Sequence, residues 1–150
     1  MTESIMDARE FLGQLKKLDQ MIQNKLVEKK QWLQISMGTS GQSDGERVQS
    51  SGSKEKMADA VVKALEMEDE INAYIDMLVD TKKDILNVIE RLNAKEYDFI
   101  HKHYVQGFAL KKIASMKHKS YSWATTMHGN ALKNVQAILD GRGKSNANNI

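Results

Sequence analysis

The chain has 150 residues, 41% of them hydrophobic, with 22 Lys and Arg against 20 Asp and Glu, no cysteine and no proline. Without cysteine there is neither a disulfide nor a thiolate ligand. With no proline breaker and nine aromatic residues, the composition favours long uninterrupted helices over a loop-rich enzyme. The net charge of +2 hides a polarity: residues 1–93 carry thirteen basic against seventeen acidic side chains, −4, and residues 94–150 carry nine against three, +6. A basic end on an acidic body points to nucleic-acid contact at that end, or else to surface lysines on a small helical protein. No stretch approaches a membrane span, and the first ten residues lack the basic and apolar regions of a secretory signal. A cytoplasmic protein with no membrane contact is the expectation.

Residues 1–36 are predicted to form a first long helix. Ser4 with Asp7 makes a capping-box pattern. Phe11, Leu15, Leu18, Ile22, Leu26 and Leu33 recur at three- and four-residue steps along one face, with Lys16, Lys17, Gln23, Lys29 and Lys30 turned outward. The helix is expected to end between Ile35 and Gly38. Residues 37–53 hold four glycines and five serines, too little apolar surface to offset the ordering of their backbone, so a flexible polar loop is predicted.

Residues 54–92 are predicted as a second long helix. Met57, Val61, Ala64, Ile71, Ile75, Leu78, Ile85, Ile89 and Leu92 fall at heptad a and d spacings, with Glu68 and Lys82 at the remaining seam positions. Such a seam pairs either with the first helix folded back antiparallel or with the same helix of a second copy, a homodimer. Glu66 and Glu70, and Asp76, Asp80 and Asp84, form acidic rows read as solvated faces. A helical carboxylate metal site normally adds a Glu-x-x-His pair, and the nearest histidine is His101. Neither a metal nor a cofactor is expected.

Residues 93–140 carry most of the interpretable chemistry. Asn93 is placed to cap a helix, with Glu96 completing the pattern. That helix presents Tyr97, Ile100, His101, Tyr104 and Val105 and stops at Gly107. A short helix with Leu110, Ile113 and Ala114 on its apolar side follows. After Lys117-His118-Lys119, Ser120 is the cap of a last helix whose buried stripe is Ala124, Met127, Ala131, Val135 and Ile138. This rhythm is that of a helix-turn-helix. The fold class expected is therefore all-α: a long helical hairpin or coiled-coil body followed by a small C-terminal helix-turn-helix domain.

In that reading Tyr121, Ser122, Thr125 and Thr126 face base edges in a major groove, where hydroxyls donate or accept and a threonine methyl meets a thymine methyl. Lys111, Lys112, Lys117, Lys119 and Lys133 contact the DNA backbone or are plainly solvated. Trp123 either buttresses the domain from below or stacks on the sugar-phosphate backbone. His101, His103, His118 and His128 lack the spacing of a zinc finger and are read as packing, phosphate contact or exposed. Residues 141–150 read as a disordered tail. No glycine-rich phosphate cradle leads into a lysine, no cysteine nucleophile is present, and the serines sit in the loop or at caps. The chain does not read as an enzyme.

Residues 92–139 resemble region 4 of the bacterial sigma-70 family, which reads the promoter −35 element. The resemblance rests on Tyr104-Val105-Gln106-Gly107, Leu110-Lys111-Lys112-Ile113-Ala114, Ser120, the pair Ala124 and Met127, and Ala131-Leu132-Lys133-Asn134-Val135. Residues 47–139 resemble a narrower group, small phage-encoded transcriptional regulators of Gram-positive bacteria. Here Arg47-Val48-Gln49-Ser50-Ser51, the long second helix and Met127-His128-Gly129-Asn130-Ala131-Leu132 carry the match. What the resemblance implies is sequence-specific binding of double-stranded promoter DNA and activation of late phage genes with host RNA polymerase. It also sets Tyr121, Ser122, Thr125 and Thr126 on the positions that face the groove. The alternative is a non-enzymatic protein-interaction or structural helical module with a degenerate helix-turn-helix.

Overall fold

The computed structural model describes residues 6–38 and 51–147. Their regular structure is entirely helical: α1 Ala8–Ser36, α2 Ser51–Ile89, α3 Ala94–Ile100, α4 Leu110–Met116 and α5 Tyr121–Ala147. A π-helical turn, His101–Val105, follows α3 directly. Among the described residues no helix is long and apolar enough to cross a membrane. Most of the segment predicted as a polar loop, residues 39–50, lies outside the described residues. α2 already begins at Ser51, three residues before the predicted start. The chain divides into two compact units, Leu18–Leu78, and Met1–Lys17 with Val79–Ile150.

In the Leu18–Leu78 unit, α1 and α2 run antiparallel within the chain. Lys25 Nζ meets Glu70 at 2.9 Å and Lys29 Nζ meets Glu68 at 4.0 Å. Lys25 also lies 5.5 Å from the centre of the Tyr74 ring. α1 ends as expected, with Gly38 at φ +71°, a conformation that costs glycine nothing. Leu18, Ile22, Ala60, Ala64 and Ile71 are buried, and Met57, Met67, Tyr74 and Leu78 are half-buried.

This seam differs from the predicted one at every second position. Met57, Ala64, Ile71 and Leu78 belong to both, but Ala60, Met67 and Tyr74 replace Val61, Glu68 and Ile75, which are exposed. The reason is electrostatic. The predicted phase would turn the Glu68 carboxylate into the seam, where an unpaired charge is costly; the observed phase leaves it at the surface beside Lys29. On α1 the same 3.5-residue repeat departs from the predicted face after Ile22. Leu26 and Leu33 are exposed, while Lys25 and Lys29 are half-buried. Their aliphatic stems cover the seam and their ammonium groups reach Glu70 and Glu68.

The other unit gathers the ends of the chain. Asp7 Oδ1 accepts from the Glu10 backbone N–H at 2.8 Å, and Gln136 Oε1 accepts from Ala8 N–H at 2.7 Å. Two free amides at the start of α1 are thereby satisfied. Asp7 is thus the cap, and the predicted partner Ser4 lies outside the described residues. Ala8, Phe11, Leu12 and Leu15 are buried, as are Ile85, Val88, Ile89, Phe99, Ile100, Ile113, Ala114, Ala124, Ala131, Val135 and Leu139. The domain therefore does not begin at residue 93: it includes the last turns of α2 and the first turns of α1.

α2 stops at Ile89 rather than residue 92, and its carbonyls are met by a turn in which Arg91 N–H reaches Val88 O and Leu92 N–H reaches Ile89 O. Asn93 Oδ1 caps α3 by accepting from Glu96 N–H at 2.9 Å. The Glu96 side chain does not complete the box. It is 8% exposed, and both of its oxygens lie 2.8 Å from Asn134 Nδ2 on α5.

α5 continues through Ala147, so most of the predicted disordered tail is helical, and residues 148–150 lie outside the described part. Glycine inside a helix costs only about 1 kcal/mol, and Arg142 makes an ion pair with Asp84 at 3.2 Å.

Leu12 has 0% exposure, so Leu12→Ala is expected to lower stability by about 2–5 kcal/mol. Urea unfolding followed by Trp123 fluorescence, in a Trp32→Phe background, measures it. A fragment of residues 93–150 should lack a cooperative transition. An unshifted midpoint for Leu12→Ala would separate the start of α1 from this core.

Candidate nucleic-acid interface

α4 and α5 are joined by the four residues 117–120. The end of α4 is a Schellman turn: His118 N–H reaches Ser115 O at 3.2 Å and Lys119 N–H reaches Ala114 O at 2.8 Å. The motif needs one residue in the left-handed region, and His118 fills it at φ +55°. Ser120 then caps α5 as expected, its Oγ accepting from Trp123 N–H at 3.0 Å. Buried Ile113 and Ala114 of α4, and Ala124 of α5, line the inside of the bend.

α5 turns the Ala124, Ala131 and Val135 stripe inward. The helical repeat then sets Tyr121, Ser122, Thr125 and Thr126 together on an outward face, and all four are exposed, Tyr121 at 58%. Lys133, seven residues beyond Thr126, continues the same face. The Thr125 hydroxyl donates to Ser122 O at 2.9 Å. The Thr125 oxygen is therefore left to act as an acceptor toward any further partner. Trp123 is half-buried, and its ring meets Phe99 edge-on at 5.8 Å between centroids.

The five predicted lysines are not equivalent. All five are exposed. Lys117 Nζ is bound to Asp98 Oδ2 at 2.7 Å, and Lys102 holds the other carboxylate oxygen. These bonds, that to Lys102 first and that to Lys117 second, keep the Asp98 carboxyl below its ordinary range. Lys117 thus ties the turn to α3. The Asp98 to Lys102 spacing of four residues was visible in the sequence; the bond to Lys117 was not.

Behind α5 lies a cluster of aromatic rings. Gln106 N–H bonds to His101 O at 2.9 Å across five residues, and Gly107 at φ +85° ends the π-helical turn. The turn sets His103 and Tyr104 edge to face, 4.7 Å apart, and the His103 ring lies 5.2 Å from that of His128. His103 Nδ1 donates to Phe108 O, and Tyr104 Oη and His128 Nε2 share a hydrogen bond, each at 2.7 Å. Burial first, then the charges of His103 and Arg9, push His128 down to about 4, so the ring is neutral near pH 7. Among the described residues no three potential ligands are placed to hold a metal. Of the three roles open to the head's histidines, packing is the one His103 and His128 fill.

No family model matches the chain, and neither does any curated protein or solved structure.

Two outcomes follow from this geometry. A non-glycine residue in the left-handed region is strained, so His118→Gly should raise stability by roughly 1 kcal/mol, read from the urea midpoint. The second concerns pH. His128 titrates at about 4 when folded and at 6.5 when free. Between those values the unfolded chain binds more protons, so stability is full above pH 6.5 and falls as pH drops toward 4. Solvent screening of this half-exposed ring limits the loss to about 1–2 kcal/mol. His128→Gln should flatten the slope in that window; Asp98 contributes only as pH falls below its ordinary 3.8. A slope unchanged by His128→Gln would assign the dependence elsewhere.

Proposed function

We propose that the protein is a sequence-specific DNA-binding transcriptional regulator, not an enzyme. α4, the Lys117–Ser120 turn and α5 act as its helix-turn-helix, and the Tyr121, Ser122, Thr125 and Thr126 face lies in the major groove. The observation that carries this reading is that face itself: four polar, exposed side chains on the first two turns of a helix whose opposite side is buried. Exposed Lys111, Lys112, Lys119 and Lys133 supply phosphate contacts around it. The resemblance to sigma-70 region 4 and to small phage regulators supports a cytoplasmic activator of late phage genes working with host RNA polymerase. The acidic body, net −4 over residues 1–93, is then the part offered to protein partners.

Equilibrium binding of the full chain to promoter fragments, against competitor DNA, tests the proposal. One fragment should bind specifically. Thr125→Ala with Thr126→Ala should reduce the preference for it about tenfold. Lys111→Ala with Lys112→Ala should weaken cognate and random DNA alike and lower the salt slope by about 2. Purified polymerase on the bound promoter should then give more transcript with the protein than without it. Equal affinity for every sequence would sink specific recognition and leave a protein-interaction head as the reading. Unchanged transcription from an occupied promoter would end the activator claim.

A further inference from the structure

α2 carries a second heptad stripe that α1 does not cover. Val61, Leu65, Glu68, Asn72 and Ile75 are spaced by alternating steps of four and three, and all are exposed; Val61, Leu65 and Ile75 remain 46%, 57% and 40% accessible. The same spacing runs on along the helix to exposed Val79. In order the stripe reads apolar, apolar, polar, polar, apolar, apolar. That pattern is symmetric about residue 70.

The symmetry identifies the occupant. We propose that this face binds the same face of a second copy, with the two α2 helices antiparallel about a two-fold axis at residue 70. In that register Leu65 meets the partner's Ile75, Val61 meets the partner's Val79, and Asn72 donates from its amide to the partner's Glu68. Apolar groups fall on apolar groups and each polar group falls on a hydrogen-bonding partner, as an isologous interface requires. A parallel pairing would set Glu68 against the partner's Glu68. On α1, Leu26 and Leu33 are exposed seven residues apart. In an antiparallel pair they occupy the flank that adjoins Val61 and Ile75, so they widen the apolar face toward a four-helix arrangement. Asp69 faces the partner's Asp69 on the outer rim. Salt screens this exposed like-charge pair, so the dimer tightens as salt rises, opposite to the behaviour of phosphate contacts.

Sedimentation equilibrium of the full chain tests the proposal. A dimer is expected. Leu65→Lys alone and Ile75→Glu alone should each weaken it on the order of 100-fold, because each sets a charge against an apolar group. Both substitutions sit on exposed positions, and circular dichroism confirms that the helices are retained. An equimolar mixture of the two variants should recover the dimer, since Lys at position 65 then meets Glu at position 75 while Ile75 still meets Leu65. Only the antiparallel register gives that rescue. A monomer at all concentrations, a dimer insensitive to both substitutions, or a mixture that stays monomeric would each overturn the proposal. If either variant lost helix, the salt dependence of the unaltered chain still decides: a dimer that weakens with added salt overturns it.

Discussion

α5 buries Ala124, Ala131 and Val135 completely, and the other segments of its unit are fastened to the helix that does so. Small side chains at the first two positions let Ile113 and Ala114 of α4 approach closely. The fastening is polar and comes from every direction. Asn134 takes the Glu96 carboxylate, Gln136 takes the first amide of α1, His128 takes the Tyr104 hydroxyl and Arg142 takes Asp84. The bonds to Glu96, to the first amide of α1 and to Tyr104 satisfy groups that burial or a helix end would otherwise leave costly; the Arg142 pair lies at the surface. The outward direction of Tyr121, Ser122, Thr125 and Thr126 follows from this inward packing, since a helix cannot turn one face in without turning the opposite one out.

The local signals in the sequence were reliable because each involves neighbours. Asn93 and Ser120 cap the helices they were expected to cap, and Gly38 ends α1. The phase of the α2 seam was harder to read. Met57, Ala64, Ile71 and Leu78 fit two heptad phases, and Val61 and Ile75 are more apolar than Ala60 and Tyr74, so composition favoured the wrong one. The charge of Glu68 was the one warning within α2; its partner Lys29, and the pairing of Lys25 with Glu70, lie on α1 and settle the phase. The unit boundary escaped for the same kind of reason. Residues 8–17 join a core whose other members lie more than sixty positions away, and a helix that serves both units carries no break in its pattern.

Charge placement refines the polarity seen in the composition. The +6 of residues 94–150 is not a uniform patch, because Asp98 binds two lysines, Lys102 and Lys117. One of these belongs to the turn before α5. The carboxylate ties the turn to α3 and offsets one positive charge where two lysines meet. Four other exposed lysines remain around the Tyr121, Ser122, Thr125 and Thr126 face; in the proposed role they supply orientation and modest affinity by displacing counterions.

Orientation is not discrimination. The four residues Tyr121, Ser122, Thr125 and Thr126 include no arginine, glutamine or asparagine to pair bidentately with a base, and Thr125 has already given its hydroxyl proton to Ser122 O. Single hydroxyls and methyls distinguish bases by less than a bidentate pair, which is worth about 1–3 kcal/mol. In the proposed DNA-reading role, a single face of this chemistry is therefore a weak discriminator. The proposed pairing through α2 would change the arithmetic without changing the face. Two copies of the proposed reading face on one dimer would make the second encounter intramolecular, at an effective concentration in the millimolar range for short tethers. Each small preference would then be multiplied by the other. On this argument the symmetric stripe on α2 and the neutral face of α5 are complementary: the weakness of one is tolerable because of the pairing the other permits.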